Sequence, residues 1–159
     1  MQLQKHLLHT FLILSTFFPG WLLSHTIEVC ASCEVTTIQQ GIERAEPHDT
    51  VKVLSGIYPE FNIVINKPLV LLGIDRPVID GESRGEIMQI LSDSVTVDGF
   101  LIRNVETSYT KDHAAIRVIK SRDYVLQNLI LEKFFFGIYL QKSHNGIIRN
   151  NHLRGDAKN

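Results

Sequence analysis

A block of eight residues recurs at a fixed interval near the end of the chain. Ser121–Asn128 overlays Ser143–Asn150 at a shift of 22 positions, and Ala115–Val118 overlays Gly137–Leu140 at the same shift. An earlier copy, Ser92–Gly99, stands 29 positions before Ser121. The seven surplus residues fall in the polar stretch Val105–His113, which reads as a loop insertion. A fixed period of this size marks a solenoid or array. At about 3.3 Å per residue, 22 extended residues trace roughly 70 Å. That is enough for three short strands and three bends closing one triangular coil, with the next coil stacked about 4.8 Å away. Val95 and Val97, Ile116 and Val118, and Ile138 and Leu140 alternate with polar positions, the period-two signal of a strand. Gly99, Asn128 and Asn150 align, and all three types tolerate positive φ, as a bend repeated in every coil requires. A leucine-rich repeat has a similar period, but its L-x-x-L-x-L-x-x-N spacing is not kept. The pattern predicts an all-β right-handed parallel β-helix with coils of about 22 residues.

Asp49–Gly81 supports the same architecture. Thr50–Val53, Ile63–Ile65, Leu69–Gly73 and Val78–Gly81 read as short strands, with turns at Gly56–Glu60 and Asn66–Pro68. Upstream, Thr37 and Gln40 form a capping box, Ile38, Ile42 and Ala45 share one helical face, and Pro47 ends the helix. Such a helix covers the apolar core and unpaired strand groups of a first coil. It is expected to be a plug and not a binding element.

The 159 residues suggest one domain, and a net charge of −1 gives no footprint for nucleic acid. Residues 1–24 read as a secretory signal: Lys5 and His6, the apolar Leu7–Phe18, then Pro19-Gly20, with a cut after Ser24 or Thr26. An uncleaved anchor is the alternative, although the apolar run is shorter than the ~20 residues that a membrane span needs. Val29 before Cys30 argues against a lipid anchor. Residues 25–48 then hold a Cys pair and the helix, and 49–159 the coils. Export implies a periplasmic or extracellular, oxidising setting.

Cys30 and Cys33 are the only cysteines. Three readings compete for this C-x-x-C: a short-range disulfide, a soft-metal pair suited to Cu(I), and a thioredoxin-like redox motif, for which the βαβ context is missing.

Thr37-Ile38-Gln39, Asp49–Val53, Gly56-Ile57-Tyr58, Ile63–Gly73 and Val78–Gly81 together resemble the opening of many parallel β-helix proteins, pectinesterases among them. Ile27–Glu34, with Phe136–Gln141 and Asn150-Asn151, narrows the likeness: the chain from about residue 27 resembles the NosD family. The resemblance implies a periplasmic, non-enzymatic accessory protein in the maturation of copper-containing nitrous oxide reductase. Its implied partners are the reductase, an ABC-type ATPase with its membrane subunit, and, as a further candidate, a copper chaperone. Copper is the implied transient cofactor. Family members are much longer, so the chain is expected to be an N-terminal fragment that lacks later coils and a C-terminal cap.

Candidate metal ligands are Cys30 and Cys33, followed by His144 and His152, eight residues apart in the last coil. His48 reads as a polar turn residue, His113 as a solvated loop residue and Met88 as core. Asp80, Asp93, Asp98, Asp123 and Glu132 are scattered over different bends, and Asp98 aligns with Gln127. They do not make the facing carboxylate pair of a glycosidase or the acidic cluster of a Ca²⁺-dependent lyase. No catalytic residue is assigned. A carbohydrate-active enzyme and a non-enzymatic surface β-helix remain the alternative functions. Alternation sets Phe135 opposite Phe134 and Phe136, so one face of this run is core and the other a candidate contact patch. Tyr109, in the insertion, is a second candidate for contact.

Overall fold

A computed structural model describes residues 24–108 and 110–155. The expected signal up to residue 23, Tyr109 and residues 156–159 lie outside this range. The chain forms an all-β parallel solenoid of about six turns. The first layer holds β1 (Thr26–Val29) and the helix α1 (Ile38–Arg44). The second coil supplies β2 (Thr50–Val53), β3 (Ile57–Tyr58) and β4 (Ile63–Ile65). The third supplies β5 (Val70–Gly73), β6 (Val78–Asp80) and β7 (Met88–Ile90). The fourth supplies β8 (Thr96–Asp98), β9 (Leu101–Arg103) and β10 (Ala114–Ile119). The fifth supplies β11 (Val125–Gln127), β12 (Ile130–Glu132) and β13 (Phe136–Gln141). The last holds β14 (Ile147–Arg149) and β15 (His152–Arg154).

Three parallel sheets follow, in the orders β1-β2-β5-β8-β11-β14, β3-β6-β9-β12-β15 and β4-β7-β10-β13. The register matches the sequence repeat: Ile116 and Val118 pair with Ile138 and Leu140, and Val125 pairs with Ile147. The longer 29-residue step also holds, since Val97 pairs with Leu126. Coils are therefore not uniform; they average about 23 residues. Side chains facing inward stack in columns. In the first sheet the column Val51, Leu71, Val97 and Leu126 is fully buried. Apolar side chains at alternate positions create this column because a strand sends them to opposite faces.

The bend after the first sheet is a single left-handed residue in three successive coils: Gly99 at φ 84°, Asn128 at 55° and Asn150 at 56°. At Gly99 the chain also passes close to its neighbour. A Cβ there would lie 2.7 Å from the Gly73 carbonyl oxygen, which leaves room for glycine alone.

Two local expectations are corrected. Gly56–Glu60 contains a strand, because Ile57-Tyr58 pairs with Val78-Ile79. The Tyr58 ring is buried, and its hydroxyl donates to the Leu54 carbonyl at 2.8 Å, so burial of the ring overrides the flanking Gly56 and Pro59. The stack also begins before residue 49: β1 pairs with β2 from Thr26↔Thr50 to Val29↔Val53.

Helix α1 plugs the first layer. Ile38, Ile42 and Ala45 are buried, and Thr37 Oγ1 accepts from the Gln40 amide at 3.3 Å. Glu60 adds a second cap from the next coil, its two oxygens accepting from the Ile38 and Gln39 amides at 2.7 and 3.0 Å. Gln39 Oε1 accepts from the Val64 amide at 2.9 Å, satisfying the edge of β4 that has no strand below it. Lys67 Nζ donates to the Ala45 carbonyl at 2.7 Å beyond the helix end. At the opposite end, Leu140, Ile148 and Leu153 are 45%, 43% and 46% exposed. Their neighbours one coil earlier, Val118, Leu126 and Leu131, are fully buried.

Candidate functional site

Cys30 and Cys33 follow directly on β1, and their sulfurs are joined as a disulfide. The Cys33 amide donates to the Cys30 carbonyl at 3.1 Å, and the Cys30 amide to Val35 at 3.1 Å, so the pair staples a tight turn. A disulfide has no thiolate to give a metal. Copper ligation by Cys30 and Cys33 would require reduction first. An open groove beside the turn is lined by Glu28, Cys33, Glu34 and Arg44. Its charges are paired: Lys52 with Glu28 at 3.2 Å, and Arg44 with Glu34 at 2.6 Å.

His144 lies in the bend before β14, where it bridges Arg122, whereas His152 opens β15 beside Ile130. The two belong to different sides of the last coil, and both are exposed. Among the described residues no group of three His, Cys, Asp or Glu side chains is arranged to hold a metal. His48 is an exposed turn residue at φ 74°, and Met88 is fully buried, both as expected.

The carboxylates are stacked into ladders. Asp98 accepts from Gln127 Nε2 and Asn128 Nδ2, both at 2.7 Å. Arg149 Nε continues the ladder to Gln127 Oε1 at 2.8 Å. Asp80 receives Arg103 Nε at 2.9 Å, Asn104 Nδ2 at 2.7 Å and the Glu82 amide at 3.0 Å. Burial opposes ionisation of Asp80, but the bonds from Asn104, Glu82 and Arg103 outweigh it and hold the carboxyl below its ordinary range. Asp93 receives the Arg122 amide at 2.7 Å. An open groove along the Gly99 bend is lined by Asp75, Arg76, Asp98 and Asn128. Asp98, one of its two carboxylates, is already engaged by neutral amides.

One cluster escaped the sequence reading. Glu86 is buried and receives Arg117 Nε at 2.5 Å and the Ala114 amide at 3.3 Å. The Arg117 guanidinium also donates to the Asp112 carbonyl and lies 4.5 Å from the centre of the Tyr139 ring. These contacts pin the exit of the insertion onto the third sheet. His113 is not solvated as expected: its side chain is 17% exposed, and Nδ1 sits 2.9 Å from Glu106 Oε2. The ring is half-buried, with Nδ1 itself out of solvent. The register carried no signal for the cluster: it sets Glu86 beside Ala114 and Arg117 beside Gln89, so the ion pair runs diagonally between coils.

The aromatic run divides as expected at Phe134 and Phe135, whereas Phe136 is only half-buried. Phe134 is buried and Phe135 is 63% exposed. Phe136 meets Phe135 and Tyr139 edge to face, with centroids 4.8 and 5.7 Å away. No protein-family model matches the chain, and no curated protein or solved structure matches it either.

Proposed function

We propose that this β-solenoid is a non-enzymatic periplasmic scaffold that assists copper-site assembly of nitrous oxide reductase. It works with an ABC-type ATPase and its membrane subunit. The observation that carries the scaffold part is the use of the carboxylates: Asp80, Asp93 and Asp98 are tied into inter-coil ladders. A hydrolase needs two carboxyl groups free to face one bond. The copper context rests on the likeness of Ile27–Glu34 and Phe136–Gln141 to NosD.

Copper enters this reading as cargo. The disulfide Cys30–Cys33 and the separated His144 and His152 do not fit a ready copper site, so the described residues contribute surface and shape. Deletion of the gene, followed by purification of the reductase from the same cells, tests the role. A copper-poor reductase is expected, restored by the gene in trans. A fully loaded reductase in the deletion strain contradicts the proposal. Release of reducing ends from pectin or alginate by the purified protein would favour a carbohydrate-active enzyme.

A further inference from the structure

We infer that Asn145-Gly146 is a site of covalent modification by solvent water, which converts Asn145 to an aspartyl or isoaspartyl residue in the bend before β14. Asp80-Gly81, Asp98-Gly99 and Asn145-Gly146 are the pairs in the sequence where an Asp or Asn precedes a Gly. Glycine matters because, with no Cβ, its backbone can swing its own amide nitrogen onto the preceding side chain. The coils close two of these pairs and leave the other open.

At the closed pairs the glycine amide is committed to the next coil. Gly81 donates to the Arg103 carbonyl at 2.9 Å, and Gly99 donates to the Gln127 carbonyl at 3.2 Å. The side chains are tied as well, Asp80 by Arg103 and Asn104, and Asp98 by Gln127 and Asn128. A carboxylate must also take up a proton before an amide can displace its oxygen, and the donors around Asp80 oppose that.

Asn145 differs on each count. It is a neutral amide, exposed, at a left-handed φ of 55°. The Gly146 amide donates to no carbonyl among the described residues. This openness belongs to the bend and not to the last coil. Asp123 and Ser94 hold the same position one and two coils earlier, at φ 55° and 57°, and each has a coil stacked beyond it. Both are exposed nonetheless, and the amides that follow them, Tyr124 and Val95, also donate to no carbonyl. A further coil would therefore leave Asn145 as open as Asn145 leaves Asp123.

The chemistry needs only water. The Gly146 nitrogen bonds to Asn145 Cγ, and its proton and the side-chain amino group leave together as ammonia. Water then opens the cyclic imide. Cleavage at Cγ gives aspartate, and cleavage at the main-chain carbonyl gives isoaspartate, with the backbone rerouted through the side chain. Either product sets a new negative charge beside Asp123 on the neighbouring coil, where like charges destabilise. Isoaspartate also lengthens the bend by a methylene and disturbs the register of Ile147–Arg149 on Val125–Gln127.

The test incubates the folded full chain in mildly alkaline buffer and follows it by tryptic mass spectrometry. Trypsin releases Ser143–Arg149, in which Asn145 is the only Asn. Loss of the Asn145 amide should run several-fold faster than loss at Asn128 or Asn150. Labelling with an isoaspartyl methyltransferase should mark Ser143–Arg149 alone in the folded chain, and Asp80-Gly81 and Asp98-Gly99 as well in guanidinium. Asn145→Ser, which copies the residue found at position 94 in the same bend, should abolish the folded-state label and keep the strand circular dichroism. An Asn145 amide that persists in the folded chain after a synthetic Ser143–Arg149 peptide has been converted overturns the inference. So does folded-state labelling of Asp98-Gly99 as fast as that of Asn145, or full labelling of the Asn145→Ser chain.

Discussion

Val118 and Leu140 are direct neighbours on adjacent coils, yet the first is fully buried and the second is 45% exposed. One column of one sheet thus passes from closed core to open end in a single step. Burial here depends on what lies on the next coil and not on residue type, and the stability of each position should follow its rung.

That gradient is measurable by truncation. Leu126→Ala, in the middle of the first sheet's column, should cost about 2–5 kcal/mol in denaturant unfolding, through lost transfer energy and the cavity left behind. Leu153→Ala, 46% exposed on the last rung, should cost clearly less. Equal costs would contradict the stacked core.

The plug depends on a contact across coils. Glu60→Ala removes both acceptors from the first turn of α1 and should destabilise the protein by about 0.5–2 kcal/mol, the range for a lost helix cap. Burial raises the Glu60 carboxyl above 4.5, although the Ile38 and Gln39 amides pull it back. The stability tied to its neutral form is therefore present below 4.5 and lost as pH rises through the raised value. Amide exchange at Ile38 and Gln39 should quicken in the variant, with little change at Leu126.

Acid should loosen two ties. Asp49 is held below 3.8 by hydrogen bonds from the His25 and Glu46 amides, and Asp80 is held low by its three donors against the cost of burial. Their contribution is complete above the ordinary value of 3.8 and is lost as pH falls through the lowered folded values. Asp80→Asn should flatten the fall in melting temperature below about pH 4, where the unfolded carboxyl starts to take up protons.

Glycine at position 99 is required twice over, by φ and by closeness. Gly99→Ala meets the Gly73 carbonyl oxygen at 2.7 Å and strains a φ of 84°, so it should destabilise by more than the ~1 kcal/mol of a left-handed alanine alone. Asn128→Gly, at the same bend one coil later, should be nearly neutral in backbone terms and lose only the bond to Asp98.

The period, the columns and the repeated bend were legible because each coil poses the same steric problem and answers it with the same residue types. Val97, Leu126 and Ile148 show this, as do Gly99, Asn128 and Asn150. Ile57-Tyr58 was not legible, because two strand residues between Gly56 and Pro59 carry too short a pattern and gain their pairing only from Val78-Ile79. Nothing in the local sequence singled out Glu60 or Glu86. Their partners, Ile38 and Arg117, lie 22 and 31 residues away and meet them only once the coils close. The disulfide was one of three readings of C-x-x-C, and local spacing could not choose among them.

The most direct check is a methyl-resolved nuclear Overhauser spectrum of the folded chain. The account predicts cross-peaks linking Val97 to Leu126 and Leu126 to Ile148, steps of 29 and 22 residues along one column. If Leu126 shows contacts to neither while its own methyl signals are sharp and assigned, the coils are not stacked in this register.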